Sequence, residues 1–304
     1  MAPKNHRIRE LLRPSGGFAR ARSRPPSLSH LILRMKNSSA FTRLLVLLTW
    51  FACCLPVTTL HAEDKNAAQI LHAPWTDLLR KYVTHDGQVD YEGFLEDEDQ
   101  LDAYLQAIRK TPPNEATWSK ADIEAYWLNV YNAATIYNVL QYYPVASINE
   151  IRIKTIGGYK PVWEAGSVNV GGKLYSLNAI EKEILRPQFK DARVHLALVA
   201  AAVSSPPLLN EAYDGARLNQ QLDEQARLFL SRVSLNQLAP GYLRLSSIFD
   251  WYAAEFGEGE KLVAFLNRYS STKIDATATI EFLPFDWALN NQKPTADTQA
   301  LRQR

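Results

Sequence analysis

Cysteine is nearly absent. Cys53 and Cys54 are the only two, and they stand side by side in an apolar leader segment. The body of the chain therefore has no disulfide, no thiolate metal ligand and no cysteine nucleophile. Histidine is also scarce: beyond the leader only His72, His85 and His195 remain. No pair of them has metal-ligand spacing, so neither a metal nor a cofactor is expected. A Gly-rich phosphate loop, an HExxH helix and a GxSxG elbow are all missing. The slight basic excess is only apparent. The first 62 residues carry ten of the 34 Lys+Arg and one of the 32 Asp+Glu, leaving 24 against 31 in the body, a net charge of −7. Such a body offers nucleic acid no electrostatic footprint. There is no internal repeat and no low-complexity linker.

What is present begins with that leader. Met35–Ala62 reads MKNSSAFTRLLVLLTWFACCLPVTTLHA: Lys36 and Arg43, an apolar run Leu44–Leu55, then small residues ending at Ala62. This is the layout of a secretory signal, and the run is shorter than the roughly 20 residues of a membrane span. The expected organisation is an untranslated or disordered stretch 1–34, with Met35 the true start, a signal peptide 35–62, and one domain over 63–304. Cleavage after Ala62 would deliver the mature chain to the periplasm or the medium, touching a membrane only through the signal peptide before cleavage.

Within the body, apolar spacing predicts a helix over 68–83 broken near Pro74, another over 99–110, and a long one over 119–143. Ser119 followed by Asp122 is a capping-box signature, and Ile123, Trp127, Val130, Ala134 and Tyr137 trace one stripe. VNVGGKLYSL alternates around Gly171-Gly172, a hairpin with a primed turn. Ser176 or Asn178 caps a short helix through Ile184, with Pro187 beyond its end. Residues 194–203 are apolar on both alternating faces, which fits a buried strand or a buried helix equally. Helices over 218–230 and 262–269 and strands at 242–245 and 280–283 complete an α+β class: a helix-rich single domain around a small, mainly antiparallel sheet.

Candidate chemistry rests on polar residues in apolar surroundings. His195 opens the run VHLALVAAAVSSPPLL. A buried imidazole needs a partner, so His195 is either a general acid or base oriented by a carboxylate or a satisfied core histidine. Glu181 borders the apolar stripe of SLNAIEKEILR and either points inward or caps. Asn129 and Asn132 lie mid-helix, where asparagine is unfavourable by roughly 0.5 kcal/mol against alanine; tertiary bracing or a cleft lining would justify them. Ser204 and Ser205 precede Pro206-Pro207. A nucleophilic serine needs an adjacent base, yet Ser205 lies ten residues from His195, about 15 Å along a helix or about 33 Å along a strand. Both serines are thus better read as structural. Trp118, Trp127, Trp163, Trp251 and Trp287 are either core or a stacking surface for carbohydrate.

Several segments together resemble the domain of unknown function 547 family: AYWLNVYNAATIYNVLQYYP, VGGKLYSLNAIEKEILR, RVHLALVAAAVSSPPLL and FLPFDWALN, with VDYEGF and IFDWYAAEF, spanning roughly Trp75 to Asn290. The resemblance implies a histidine at His195, a glutamate at Glu181, and an aromatic-asparagine helix at Trp127, Asn129, Tyr131 and Asn132. Relatives often carry a cysteine near Ala200, a Cys-Pro pair where this chain has Ser205-Pro206, and a histidine where it has Lys182. The family has been likened remotely to papain- and transglutaminase-type folds. On that likeness His195 would be a strand histidine and the helix 119–143 would hold the nucleophile position, where no cysteine stands.

Two functions follow as expectations. One is a binding module or degenerate enzyme for an unknown envelope ligand or partner protein, with Trp127, Asn129, Tyr131 and Ser205 as binding candidates. The other is an envelope-acting hydrolase or transferase using His195 and Glu181 as an acid–base pair supported by Asn132.

Overall fold

A computed structural model describes residues 58–293 of the chain, with side chains from residue 67 onward. The leader over residues 1–57 lies outside the described residues, and the expected cleavage point at Ala62 falls within the first helix. That helix, α1 (Thr58–Tyr82), runs unbroken through Pro74. Proline removes the donor that would reach the Ile70 carbonyl, but Pro74 and Ile70 both face solvent, where water can replace it. Meanwhile Trp75, Leu78 and Leu79 are almost completely buried. Tertiary burial of this face holds the helix across the break that the sequence predicts.

After the short α2 (Tyr91–Glu96), α3 (Glu98–Lys110) lays Leu101, Tyr104, Leu105 and Ile108 into the core. The centre of the molecule is α4 (Lys120–Leu140). Its N-terminus carries the expected capping box, with Ser119 accepting from the Asp122 amide and the Asp122 carboxylate accepting from the Ser119 amide. Rather than showing one apolar stripe, α4 is buried all round, Asp122, Glu124, Asn129, Asn132, Thr135 and Asn138 included. A helix packed on every side has no solvent face to reveal.

The strands form three small sheets. β1 (Arg152–Thr155) and β2 (Gly158–Pro161) make an antiparallel hairpin. β3 (Val168–Val170) and β4 (Lys173–Tyr175) make another, turned at Gly171 and Gly172, whose φ angles of 59° and 89° give the predicted primed turn. β5 (Gln237–Leu238), β6 (Tyr242–Ser246) and β7 (Thr279–Leu283) form the third, with β5–β6 antiparallel and β6–β7 parallel. Helix α5 is composite: Leu177–Ala179, a π-helical stretch Ile180–Leu185, and Arg186–Phe189, so it passes through Pro187 instead of ending before it. Ser176 is its cap. Helix α6 (Leu218–Ser231), the short α7 (Ile248–Trp251) and α8 (Ala253–Phe256), and α9 (Glu260–Tyr269) complete an α+β, helix-rich architecture. No helix among the described residues is long and apolar enough to cross a membrane.

Buried side chains fall into two clusters. One surrounds α4; the other is built from α6, β6 and α7–α9. The apolar run from Val194 belongs to both, with Val194, Ala197 and Val199 in the first and Leu196 in the second. It is neither strand nor α-helix. A 3₁₀ turn (Ala192–Leu196) gives way to an irregular segment in which Ala201 takes a left-handed φ of 50°. Buried irregular backbone must find partners for every amide and carbonyl, and side chains supply them. Asn132 donates to the Ala197 carbonyl at 3.0 Å and accepts from the Val199 amide at 3.1 Å. Asn129 brackets Tyr213 in the same way at 2.9 and 2.8 Å. Gln225 donates to the Pro207 carbonyl at 2.7 Å.

Candidate functional site

A cleft of about 330 Å³ opens where these two clusters meet. Tyr131 of α4, Glu181 and Lys182 of α5, His195, Leu198, Ala200 and Pro206 of the irregular run, Tyr252 between α7 and α8, and Phe285 and Trp287 all line it. Glu181 arrives through the π-helical stretch, whose widened turn re-aims side chains and recurs at functional sites. The glutamate is buried while its neighbour Lys182 stays exposed. His195 lies near the end of the 3₁₀ turn instead of sitting on a strand, because the run that carries it never pairs as one.

Glu181 and His195 form the floor, and Glu255, which does not line the cleft, stands behind the histidine. His195 Nδ1 lies 4.0 Å from Glu181 Oε1, and His195 Nε2 lies 4.0 Å from Glu255 Oε1. Neither is a hydrogen bond. The imidazole stacks on Tyr252 with centroids 3.6 Å apart and planes 16° from parallel. Arg186 donates from Nε to Glu255 Oε1 at 2.7 Å, and its guanidinium also lies over the Tyr252 ring. Three buried atoms of the cluster have no hydrogen-bond partner: Glu181 Oε1, His195 Nδ1 and Glu255 Oε2. Burial, reinforced by the Arg186 charge and opposed by Asp191, lowers the His195 pKa to about 3. Burial also raises that of Glu181, against a hydrogen bond from Tyr252 and the charges of Lys182 and Arg186. At neutral pH the floor therefore holds an uncharged imidazole beside a carboxyl group that binds its proton more tightly than usual.

The rim is aromatic. Trp251 and Trp287 stack at 5.9 Å and 16°, Phe285 packs 4.9 Å from Trp251 and 4.4 Å from Trp287, and Trp163 meets Trp287 at 6.3 Å. Trp251 is 49% exposed. Of the five tryptophans singled out by sequence, three thus gather at one mouth. The other two lie elsewhere: Trp127 is buried against Tyr126 and Tyr175, and the partly buried Trp118 packs against Tyr126.

The structure brings Glu181, His195 and Tyr131 together, but not the remaining candidates. The amides of Asn132 and Asn129 are both occupied by backbone, away from the cleft. Ser205 is 1% exposed, its Oγ accepting from the Ala200 amide at 2.8 Å, and Ser204 Oγ accepts from the Asp286 amide at 2.9 Å. Both serines hold the irregular run in place. Sequence reasoning passes over Tyr252, Glu255 and Arg186. The available signal is the segment IFDWYAAEF, where Tyr252 and Glu255 fall three residues apart, on one side of a helical turn.

Residues 116–230 match the family described as "Protein of unknown function, DUF547". No curated protein and no solved structure matches the chain. The matched segment holds α4, α5 and the His195 run, hence Tyr131, Trp163, Glu181 and His195, whereas Trp251, Tyr252, Glu255, Phe285 and Trp287 lie beyond it. The helix, the Ile-Glu pair and the histidine that carry the sequence resemblance fall inside the match, and it is this segment, residues 116–230, that the DUF547 family model describes.

Proposed function

We propose that this chain is an exported binding protein whose cleft takes a saccharide. One observation carries the reading. Glu181 Oε1 and His195 Nδ1, both buried and without partners, lie 4.0 Å apart beneath an aromatic rim. A hydroxyl oxygen seated off the line between them would reach about 2.8 Å from each. It would donate to the carboxyl oxygen and accept from the ring N–H. Sugar rings supply hydroxyl donors along their edges and an apolar C–H face that stacks on tryptophan. The cleft volume suits a ligand of one to a few rings. Export is supported by the charged, apolar and small-residue layout of Met35–Ala62. N-terminal sequencing of the chain from a periplasmic fraction is then expected to begin at Glu63.

A melting-temperature screen of neutral oligosaccharides tests the ligand. A bound sugar raises Tm in proportion to RT ln(1 + [L]/Kd). Replacing Trp251 or Trp287 with Ala weakens the shift about tenfold in apparent Kd, as expected for losing one stacking contact of about 1 kcal/mol or more. If no saccharide shifts Tm at millimolar concentration, the reading fails.

The same pair of unpartnered atoms favours a second reading, in which Glu181 and His195 act as acid and base in a hydrolase or transferase. The residues lining the cleft include no serine, threonine or cysteine, so the attacking group on that reading would be water or a second substrate. New reducing ends from a bound oligosaccharide, lost in Glu181→Gln, would establish turnover over binding alone.

A further inference from the structure

The β1–β2 hairpin is rooted on the body, with Ile153 packed against the first core cluster and Tyr142 donating to the Arg152 carbonyl at 3.1 Å, but its outer end is free and basic. Its tip is Ile156, which is 110% exposed, followed by Gly157 and Gly158, at either of which an added Cβ would meet no atom within 4 Å. Tyr159 beside it is 63% exposed. Lys154 and Tyr159 face each other across the ladder, as do Ile153 and Lys160. Arg152, Lys154 and Lys160 make no ion pair among the described residues; Arg152 instead donates to the backbone carbonyls of Asn149 and Ile151. The turn is closed by Thr155 Oγ1 donating to the Gly158 carbonyl at 2.8 Å, so the arm is ordered rather than collapsed onto the body. A fully exposed isoleucine at the end of a basic arm, on a body of net charge −7, is not explained by folding.

We propose that this hairpin docks the protein on an anionic lipid surface, Ile156 and Tyr159 entering the interface while Lys154 and Lys160 lie among the headgroup phosphates. Two physical arguments favour lipid over a protein partner. A specific protein interface needs about 1,000 Å² of complementary surface, and the tip of a four-residue hairpin presents only Ile156 and Tyr159 as exposed large apolar side chains. A lipid interface needs no such complementarity: it takes an apolar tip flanked by cations. The acidic body would be repelled by the same surface. The arm thus allows contact in one orientation only, tip first.

The test is sedimentation of the full chain with phosphatidylcholine vesicles containing graded phosphatidylglycerol, for wild type, Ile156→Asp and the double variant Lys154→Glu/Lys160→Glu. The leader is common to all three, so any difference belongs to the hairpin. The substituted side chains are exposed, and equal melting temperatures confirm equal folding. The expected result is binding that rises with phosphatidylglycerol and falls with salt. The double variant should lose at least about twenty-five-fold in partition, a factor of about five for each basic residue removed from an anionic surface, and Ile156→Asp about tenfold. Equal partition of wild type and both variants overturns the proposal. So does wild-type binding that is indifferent to phosphatidylglycerol, or no wild-type binding at all; the last of these, with an acidic protein captured by wild type and lost by the double variant, assigns the arm to a protein partner.

Discussion

Replacing Asn132 with alanine separates bracing from catalysis more sharply than any change in the cleft itself. The Asn132 side chain is 2% exposed and makes two hydrogen bonds, to the Ala197 carbonyl at 3.0 Å and from the Val199 amide at 3.1 Å. Alanine leaves both backbone groups buried. Each unsatisfied group costs about 1–3 kcal/mol, so the variant should lose about 2–5 kcal/mol. That is a large share of the roughly 5–15 kcal/mol that stabilises a typical domain. With a urea slope of about 2–3 kcal/mol per molar, the midpoint should fall by about 1–2 M at unchanged slope. Asn132→Asp sharpens the test. Its carboxylate keeps the acceptor for Val199 but turns a lone pair toward the Ala197 carbonyl and buries a charge, so it should be no better than alanine at neutral pH and recover partly on acidification. Because Asn132 does not reach the cleft, both variants should bind ligand with wild-type affinity under conditions where they are folded. A urea midpoint shift corresponding to less than about 1 kcal/mol would refute the bracing argument. A folded variant without ligand binding would return Asn132 to the site.

Protonation gives two further tests. The folded pKa values of His72 and His195 are lowered to about 3, chiefly by burial. The unfolded chain therefore takes up a proton near 6.5 that the folded chain refuses, and stability drains away as pH falls. His72→Gln and His195→Gln should each gain on wild type by about 2 kcal/mol between pH 6.5 and pH 5 in chemical denaturation; parallel profiles would refute the burial of a neutral ring. Glu124 works in the opposite sense: burial, then the charge of Asp191, raises it to about 7. The unfolded chain releases this proton near 4.5 and the folded chain holds it, so Glu124→Gln should gain on wild type by about 3 kcal/mol as pH rises from 4.5 to 7. Gly215 abuts the central helix: a Cβ there would come within 2.0 Å of Asp122 Oδ1 and 2.8 Å of its Cα. Gly215→Ala should displace the capping carboxylate and cost about 1–3 kcal/mol by urea unfolding, with a neutral result showing that the loop simply moves away.

How much of this is legible in the sequence depends on what each residue's partner is. Local partners are readable. Ser119 and Asp122 form their capping box, Gly171-Gly172 turns its hairpin, and the helices of residues 98–110, 218–231 and 260–269 carry amphipathic spacing that survives in the structure. Distant partners are not. Pro74 advertises a helix break, but the burial of Trp75, Leu78 and Leu79 overrides it. The run from Val194 reads as a regular element because it is apolar throughout, whereas its backbone is irregular and satisfied by Asn132, Ser205, Gln225 and the 286–288 segment, 60 and more residues away in some cases. No periodicity encodes such pairings.

The site divides along the same line. Glu181 and His195 stand out because each is ionisable in an apolar neighbourhood, a property of the local string. Tyr252 and Glu255 do not, because their segment is amphipathic and ordinary by itself; their character comes from facing His195 across the junction of two cores. Once placed, they change the chemical argument. A histidine with a single carboxylate is the frame of an acid–base pair, in which the carboxylate orients one ring nitrogen and raises its basicity. Here neither ring nitrogen is within bonding distance of its glutamate, Arg186 holds the second glutamate, and a tyrosine covers the ring face. Such an imidazole is poorly suited to take a proton at neutral pH but well placed to exchange hydrogen bonds with a hydroxyl, which is why we propose a ligand held in the cleft ahead of one transformed there.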